Sequence, residues 1–134
     1  VQLLVYPTVD FKSRHPSFFA YKDGLVLTEN DIDRVTQHYA EQHKMALDDP
    51  LISPTYGKLK KLPPTYLITA KHDVLHDEGS IYAHKLRQHG ITVFYHEYSD
   101  QTHGFVNLTP ISKQAKKHVI EMSKNFRKFW DKNS

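Results

Sequence analysis

Two short polar clusters hold most of the residue types in this chain that do chemistry. Lys71-His72-Asp73 follows one apolar run, and Asp100-Gln101-Thr102-His103-Gly104-Phe105 follows another. An acid and an imidazole that meet make a general base. The carboxylate holds the ring in one tautomer and stabilises its protonated form, and the ring activates a hydroxyl nucleophile. Asp73 and His103, 30 residues apart, are the candidate catalytic pair. The plainer alternative is that each is a solvated loop residue. His72 and His76 stand four apart, the spacing of a zinc motif, but that motif needs a helix to bring both imidazoles to one face. Here a strand is expected to end at Ala70, leaving His72 in a turn, and the residue after it is Asp where the motif has Glu. No metal site is expected. His38 with His43 and His84 with His89 diverge on helices and read as surface residues.

For Asp73 and His103 to meet, the runs before them must be neighbouring strands whose carboxyl ends share a rim, which is where open α/β sheets gather functional residues. The chain supplies such runs. Gln2 to Tyr6 reads as a short strand stopped by Pro7, since proline cannot donate to a ladder. Thr8 to Leu27 reads as a loop excursion. Thr28 then caps a helix with Asp31 at its positive end and Ile32, Val35, Thr36 and Tyr39 facing inward. Leu51 to Pro64 is loop. Thr65 to Ala70 is apolar on both faces, as in a parallel sheet covered by helices. A helix follows from about Asp77 to His89, with Ile81, Tyr82 and Leu86 inward and Gly90 as its stop. Asp77 is its N-cap, or else a second support for the loop that carries Asp73. Thr92 to Tyr98 is a third strand. Ser112 to Trp130 is a long helix with Ala115, Val119, Met122, Phe126 and Phe129 at helical spacing. Strand and helix alternate three times, the pattern of a parallel α/β sheet.

Composition agrees with one folded domain. The 134 residues are 39% apolar and 25% charged, with eight tyrosines, seven phenylalanines and one tryptophan. That excludes disorder, collagen and coiled coil. No apolar run approaches a membrane span of roughly 20 residues. A net charge of +3 is too mild for a dedicated nucleic-acid binder. Lys58, Lys60 and Lys61 sit in a proline-bounded loop, and Lys117, Lys124 and Lys128 line a solvent face, so no nucleic-acid partner is expected. Without cysteine there is no disulfide framework or thiolate metal site, and the compartment is left open with the cytoplasm favoured.

The wording around the pair narrows the reading. Leu62-Pro63-Pro64 leads into Thr65-Tyr66-Leu67-Ile68-Thr69-Ala70. Asp73-Val74-Leu75-His76-Asp77-Glu78-Gly79 follows, then Tyr82-Ala83, Leu86, Gly90 and His103-Gly104-Phe105. Together with Val5-Tyr6-Pro7, Asp10, Asp49-Pro50 and Ser53-Pro54, this closely resembles the hormone-sensitive-lipase family of alpha/beta-hydrolase esterases. The resemblance implies that Asp73 is the acid and His103 the histidine of a Ser-His-Asp triad, with no cofactor. It also implies a stretch from residue 8 to 50 that contributes to a cap, where Phe18, Phe19 and Tyr21 would line an apolar substrate pocket. Small, short-chain carboxylic esters are the implied substrates.

The nucleophile of that family lies in Gly-Asp-Ser-Ala-Gly, and His-Gly-Gly-Gly builds its oxyanion hole. Neither is present, no Gly-x-Ser-x-Gly occurs, and no two of the five glycines are adjacent. Ser80 follows Gly79 but falls in the first turn of a helix. His76 stands where the family often has Arg, next to the acid whose hydrogen bonding it could perturb, and Asp100 stands where glycine is common. The expectation is a three-stranded parallel C-terminal portion of an α/β-hydrolase sheet with flanking helices, spanning residues 1–134. The N-terminal half of that domain would be missing and the isolated chain inactive. The apolar first strand would be an uncovered edge, inviting a homodimer through it. The rival reading is a non-catalytic small-molecule-binding or degenerate α/β-hydrolase domain.

Overall fold

A computed structural model describes residues 1–134. Three strands form one sheet: β1 (Gln2–Val5), β2 (Thr65–His72) and β3 (Val93–Thr102). They lie side by side in chain order, all parallel. Strand β2 is central, and every residue from Thr65 to Ala70 is buried. Side chains alternate across a strand, so β2 feeds two cores at once. Tyr66, Ile68 and Ala70 pack with Tyr98, Phe105, Ala115 and Met122. Leu67 packs on the other face with Val9, Leu59, Tyr82, Ala83 and Leu86.

The helices divide accordingly. Helix α3 (His76–Gln88) covers the Leu67 face, and α4 (Lys113–Asn133) covers the Tyr66 face. Gly79 is where α3 approaches the sheet most closely: a Cβ there would stand 2.8 Å from Thr69 Cγ2. The inward stripe expected on α4 is the one observed, with Ser112 capping the helix by accepting the Ala115 N–H. Gly90, at φ +80°, ends α3 in a left-handed conformation that costs glycine little.

The segment between β1 and β2 differs from expectation in two places. Residues Pro16–Tyr21 form a short helix, α1, inside what reads as loop, with Pro16 in its first turn. Helix α2 (Glu29–Thr36) starts as expected from Thr28, in a capping box with Asp31. Its Ile32 and Thr36 are buried, but Val35 and Tyr39 are exposed. For Tyr39 the cause is a π-helical turn over Gln37–Glu41, whose wider winding turns Ala40 inward in its place; Val35 lies before that turn, on the solvent side of α2. On α3 the buried stripe is Gly79, Tyr82, Ala83 and Leu86, and Ile81, expected inward, is exposed because it falls off that stripe.

Strand β3 runs four residues past Tyr98. It can do so because β2 continues through Lys71-His72 and offers a partner. An irregularity separates the two ladders, with Ala70 paired to Tyr98 and His72 to Thr102.

Candidate active site

The carboxyl ends of all three strands meet on one rim. Directly after β2 the chain turns at Asp73, whose Oδ1 accepts the Leu75 N–H at 2.9 Å, an Asx turn that fixes the carboxyl group before α3 begins. Directly after β3 comes His103, and Gly104 at φ +74° lets the chain double back so that fully buried Phe105 anchors the turn. His103 Nδ1 lies 2.8 Å from Asp73 Oδ2. A carboxylate only accepts, so Nδ1 carries the proton and Nε2 is left as a free lone pair. Asp73 is 2% exposed, whereas the His103 side chain keeps 24%. The acid is therefore sealed beneath a ring that solvent or a reactant reaches. This arrangement accepts a proton at Nε2 and stabilises the resulting imidazolium.

The first turn of α3 ties this rim together. Asp77 does not cap its own helix; Leu75 occupies the cap position without a side-chain bond. The Asp77 carboxylate instead accepts the Ser17 N–H at 2.8 Å, at the start of α1, and the Ser17 hydroxyl accepts the Asp77 N–H and donates to the Val74 carbonyl. Burial opposes ionisation of Asp77, but the Ser17 N–H and His76 prevail and hold its pKa below the usual range. Glu78 Oε1 accepts the N–H groups of Val9 and Asp10 at 2.8 and 3.3 Å. Burial there pushes the carboxyl pKa up to about 8.

His76 leaves the Asp73 carboxylate untouched. Its Nδ1 meets Asp77 Oδ1 and its Nε2 meets Glu97 Oε2 on β3, so it bridges α3 to the strand that carries His103. Asp100 pairs with His118 on α4, away from the acid. Sequence reading missed the Asp77–Ser17 and His76–Glu97 links because each joins residues distant in the chain. Ser80 is half-buried in α3, as expected.

The three aromatic residues of the excursion separate. Phe18 is buried with Ile32, Val74 and Leu75, bracing the acid turn from behind. Phe19 is 61% exposed, edge-on to Phe18. Tyr21 is half-buried and meets the His72 ring edge-on. His72 and His76 thus have unrelated surroundings, and no three His, Cys, Asp or Glu side chains converge as a metal site. No helix is long and apolar enough to cross a membrane.

A family model described as alpha/beta hydrolase fold matches residues 1–107. The chain belongs to that family. Among curated alpha/beta hydrolases it is 34% identical to Lipase 2 of Moraxella sp. (strain TA144), over 82% of this chain and 25% of that protein. It is 36% identical to a carboxylic ester hydrolase of Mycobacterium tuberculosis (81% and 29%), and 31% identical to an ethyl acetate hydrolase of Pseudomonas putida (90% and 38%). Among solved structures, an esterase of the archaeon Pyrobaculum calidifontis superposes with a TM-score of 0.82 at 31% identity, over 92% of this chain and 41% of that one. The chain spans between a quarter and two fifths of the length of these relatives.

Proposed function

We propose that this chain is the C-terminal portion of a carboxylic-ester hydrolase of the hormone-sensitive-lipase type, supplying two members of a Ser-His-Asp triad. The observation that carries the reading is the 2.8 Å contact of His103 Nδ1 with buried Asp73. In the whole protein a serine from the preceding half would stand at His103 Nε2. The serine hydroxyl attacks the ester carbonyl as Nε2 takes its proton, and the imidazolium returns that proton to the departing alcohol. Water then attacks the acyl-serine with His103 again as base, releasing the acid and the serine. Asp73 stays ionised throughout. Residues 8–50 contribute to a cap over the substrate, with Phe19 and Tyr21 facing the acyl or alcohol group and Phe18 fixed behind them. The names of the relatives, an ethyl acetate hydrolase among them, support small esters as substrates.

The test begins with the coding sequence upstream of Val1, where an in-frame Gly-x-Ser-x-Gly is expected. The whole protein should then hydrolyse p-nitrophenyl acetate or butyrate. His103→Ala should cost it on the order of 10³-fold or more in kcat with KM little changed. A variant that keeps near-normal kcat removes His103 from the site. A whole protein that binds esters without turning them over makes this a binding domain.

A further inference from the structure

The residue at the carboxyl end of β1 belongs to the same rim. Tyr6 keeps the ladder, its N–H donating to the Ile68 carbonyl at 2.8 Å, but its φ is +37°. A bulky residue in that region is a strained outlier. The position before Pro7 favours extended backbone as well, which sharpens the conflict. Strain of this kind persists only where the surrounding structure enforces it, and it collects at functional sites.

What the conformation delivers is a ring. The Tyr6 and His103 ring centroids are 4.5 Å apart with their planes at 54°, and Phe105 meets Tyr6 edge-on at 5.8 Å. The Tyr6 ring thus packs against both the imidazole and the Phe105 ring that anchors the turn after His103. His103 is therefore contacted twice: Asp73 takes Nδ1, and the tilted Tyr6 ring packs against the imidazole. One hydrogen bond alone leaves an imidazole free to librate about χ2, sweeping Nε2 sideways. An aromatic wall against the ring removes that freedom.

We infer that Tyr6 is a positioning residue for His103, carried in by a left-handed backbone at the end of β1 to fix the plane of the imidazole and the aim of Nε2. The contact stands by itself; its consequence for turnover rests on the esterase reading above.

The two are tested separately. In the 134-residue chain, the His103 Nδ1 proton held on Asp73 should give a resolved, far-downfield proton resonance, identified by its loss in His103→Gln. Tyr6→Phe keeps the ring and should keep that resonance. Tyr6→Asn keeps a residue that tolerates left-handed backbone but removes the ring. It should broaden or lose the resonance through faster exchange while circular dichroism stays unchanged. A folded Tyr6→Asn with the parent resonance overturns the inference, and so does its loss in Tyr6→Phe. Should Tyr6→Asn fail to fold, Tyr6→Gly, which accepts the left-handed backbone and also removes the ring, takes its place with the same two readings. In the whole protein, Tyr6→Asn should lower kcat by ~10-fold or more with little change in KM. A whole protein without ester turnover would sink the esterase reading and leave the resonance experiment intact.

Discussion

Gly79 is where a single hydrogen atom decides whether the acid turn is held in place. It sits in the first helical turns after Asp73, and its missing side chain lets α3 rest directly on Thr69. Gly79→Ala would put a methyl group 2.8 Å from Thr69 Cγ2, closer than carbon atoms approach. The expected result is a loss of ~1–3 kcal/mol in thermal or urea unfolding, the usual cost of overpacking. Thr69→Ser deletes that Cγ2 and keeps the hydroxyl that bonds Tyr95, so the double variant should recover most of the loss. A double variant no better than Gly79→Ala would place the cost elsewhere. Asp73 and His103 were legible in the sequence as polar residues in loops beyond two expected strands, and it was the family wording around them that singled them out. Tyr6, His76 and Glu97 were not, because what matters about them is which ring or carboxylate they face across the rim. That depends on strand register and helix docking, which local spacing does not encode.

Among the elements, α3 does more than cross over between strands. Its first turn takes hold of the excursion twice, through Asp77 at the start of α1 and through Glu78 at the loop that leaves β1. Glu78 makes the second hold sensitive to pH. Its folded pKa is raised to about 8 from an ordinary 4.5, mainly by burial. Between those values the folded chain keeps a proton that the unfolded chain has released. The folded state binds more protons there, and stability falls as pH rises from about 4.5 through about 8. Glu78→Gln keeps an oxygen for the Val9 and Asp10 N–H groups and should flatten that slope in urea titrations across the range. An unchanged slope would assign the pH dependence to other groups. Strand and helix order came directly from periodicity, from the cap at Thr28 and from the stop at Gly90. Tyr39 was misplaced because a π-helical turn leaves no mark in the spacing of apolar residues, and Val35, on regular α2, faces solvent although it shares the spacing of Ile32 and Thr36. Helix α1 was missed because six residues are too few to show a period.

At the scale of the molecule, the sheet is covered on its faces and open at the β1 edge. Leu3 is 41% and Trp130 45% exposed. With Met122 and Phe126 they line a groove of about 370 Å³ between β1 and α4. An apolar strand edge beside an apolar groove is a template for pairing. The chain prepared alone should therefore sediment as a dimer at micromolar concentration, and Leu3→Lys should return it to monomer. A stable monomer of the parent chain would show that the edge needs no cover. In the whole protein of the proposed esterase, the preceding half would occupy that place.

The irregularity between β2 and β3 ends before the histidine. From the Ala70–Tyr98 pair to the His72–Thr102 pair, β3 takes four residue steps where β2 takes two. At ~3.3 Å of rise per residue, the surplus is ~7 Å of chain that the ladder does not consume. The surplus is taken up as a bulge, and the strands are back in register at His72–Thr102, so Asp73 and His103 leave the two strands side by side. A relative lacking two residues in the Ser99–Gln101 stretch would run the ladder straight to the same His72–Thr102 pair, so that stretch is free to vary in length by such a pair while the step from Thr102 to His103 is not.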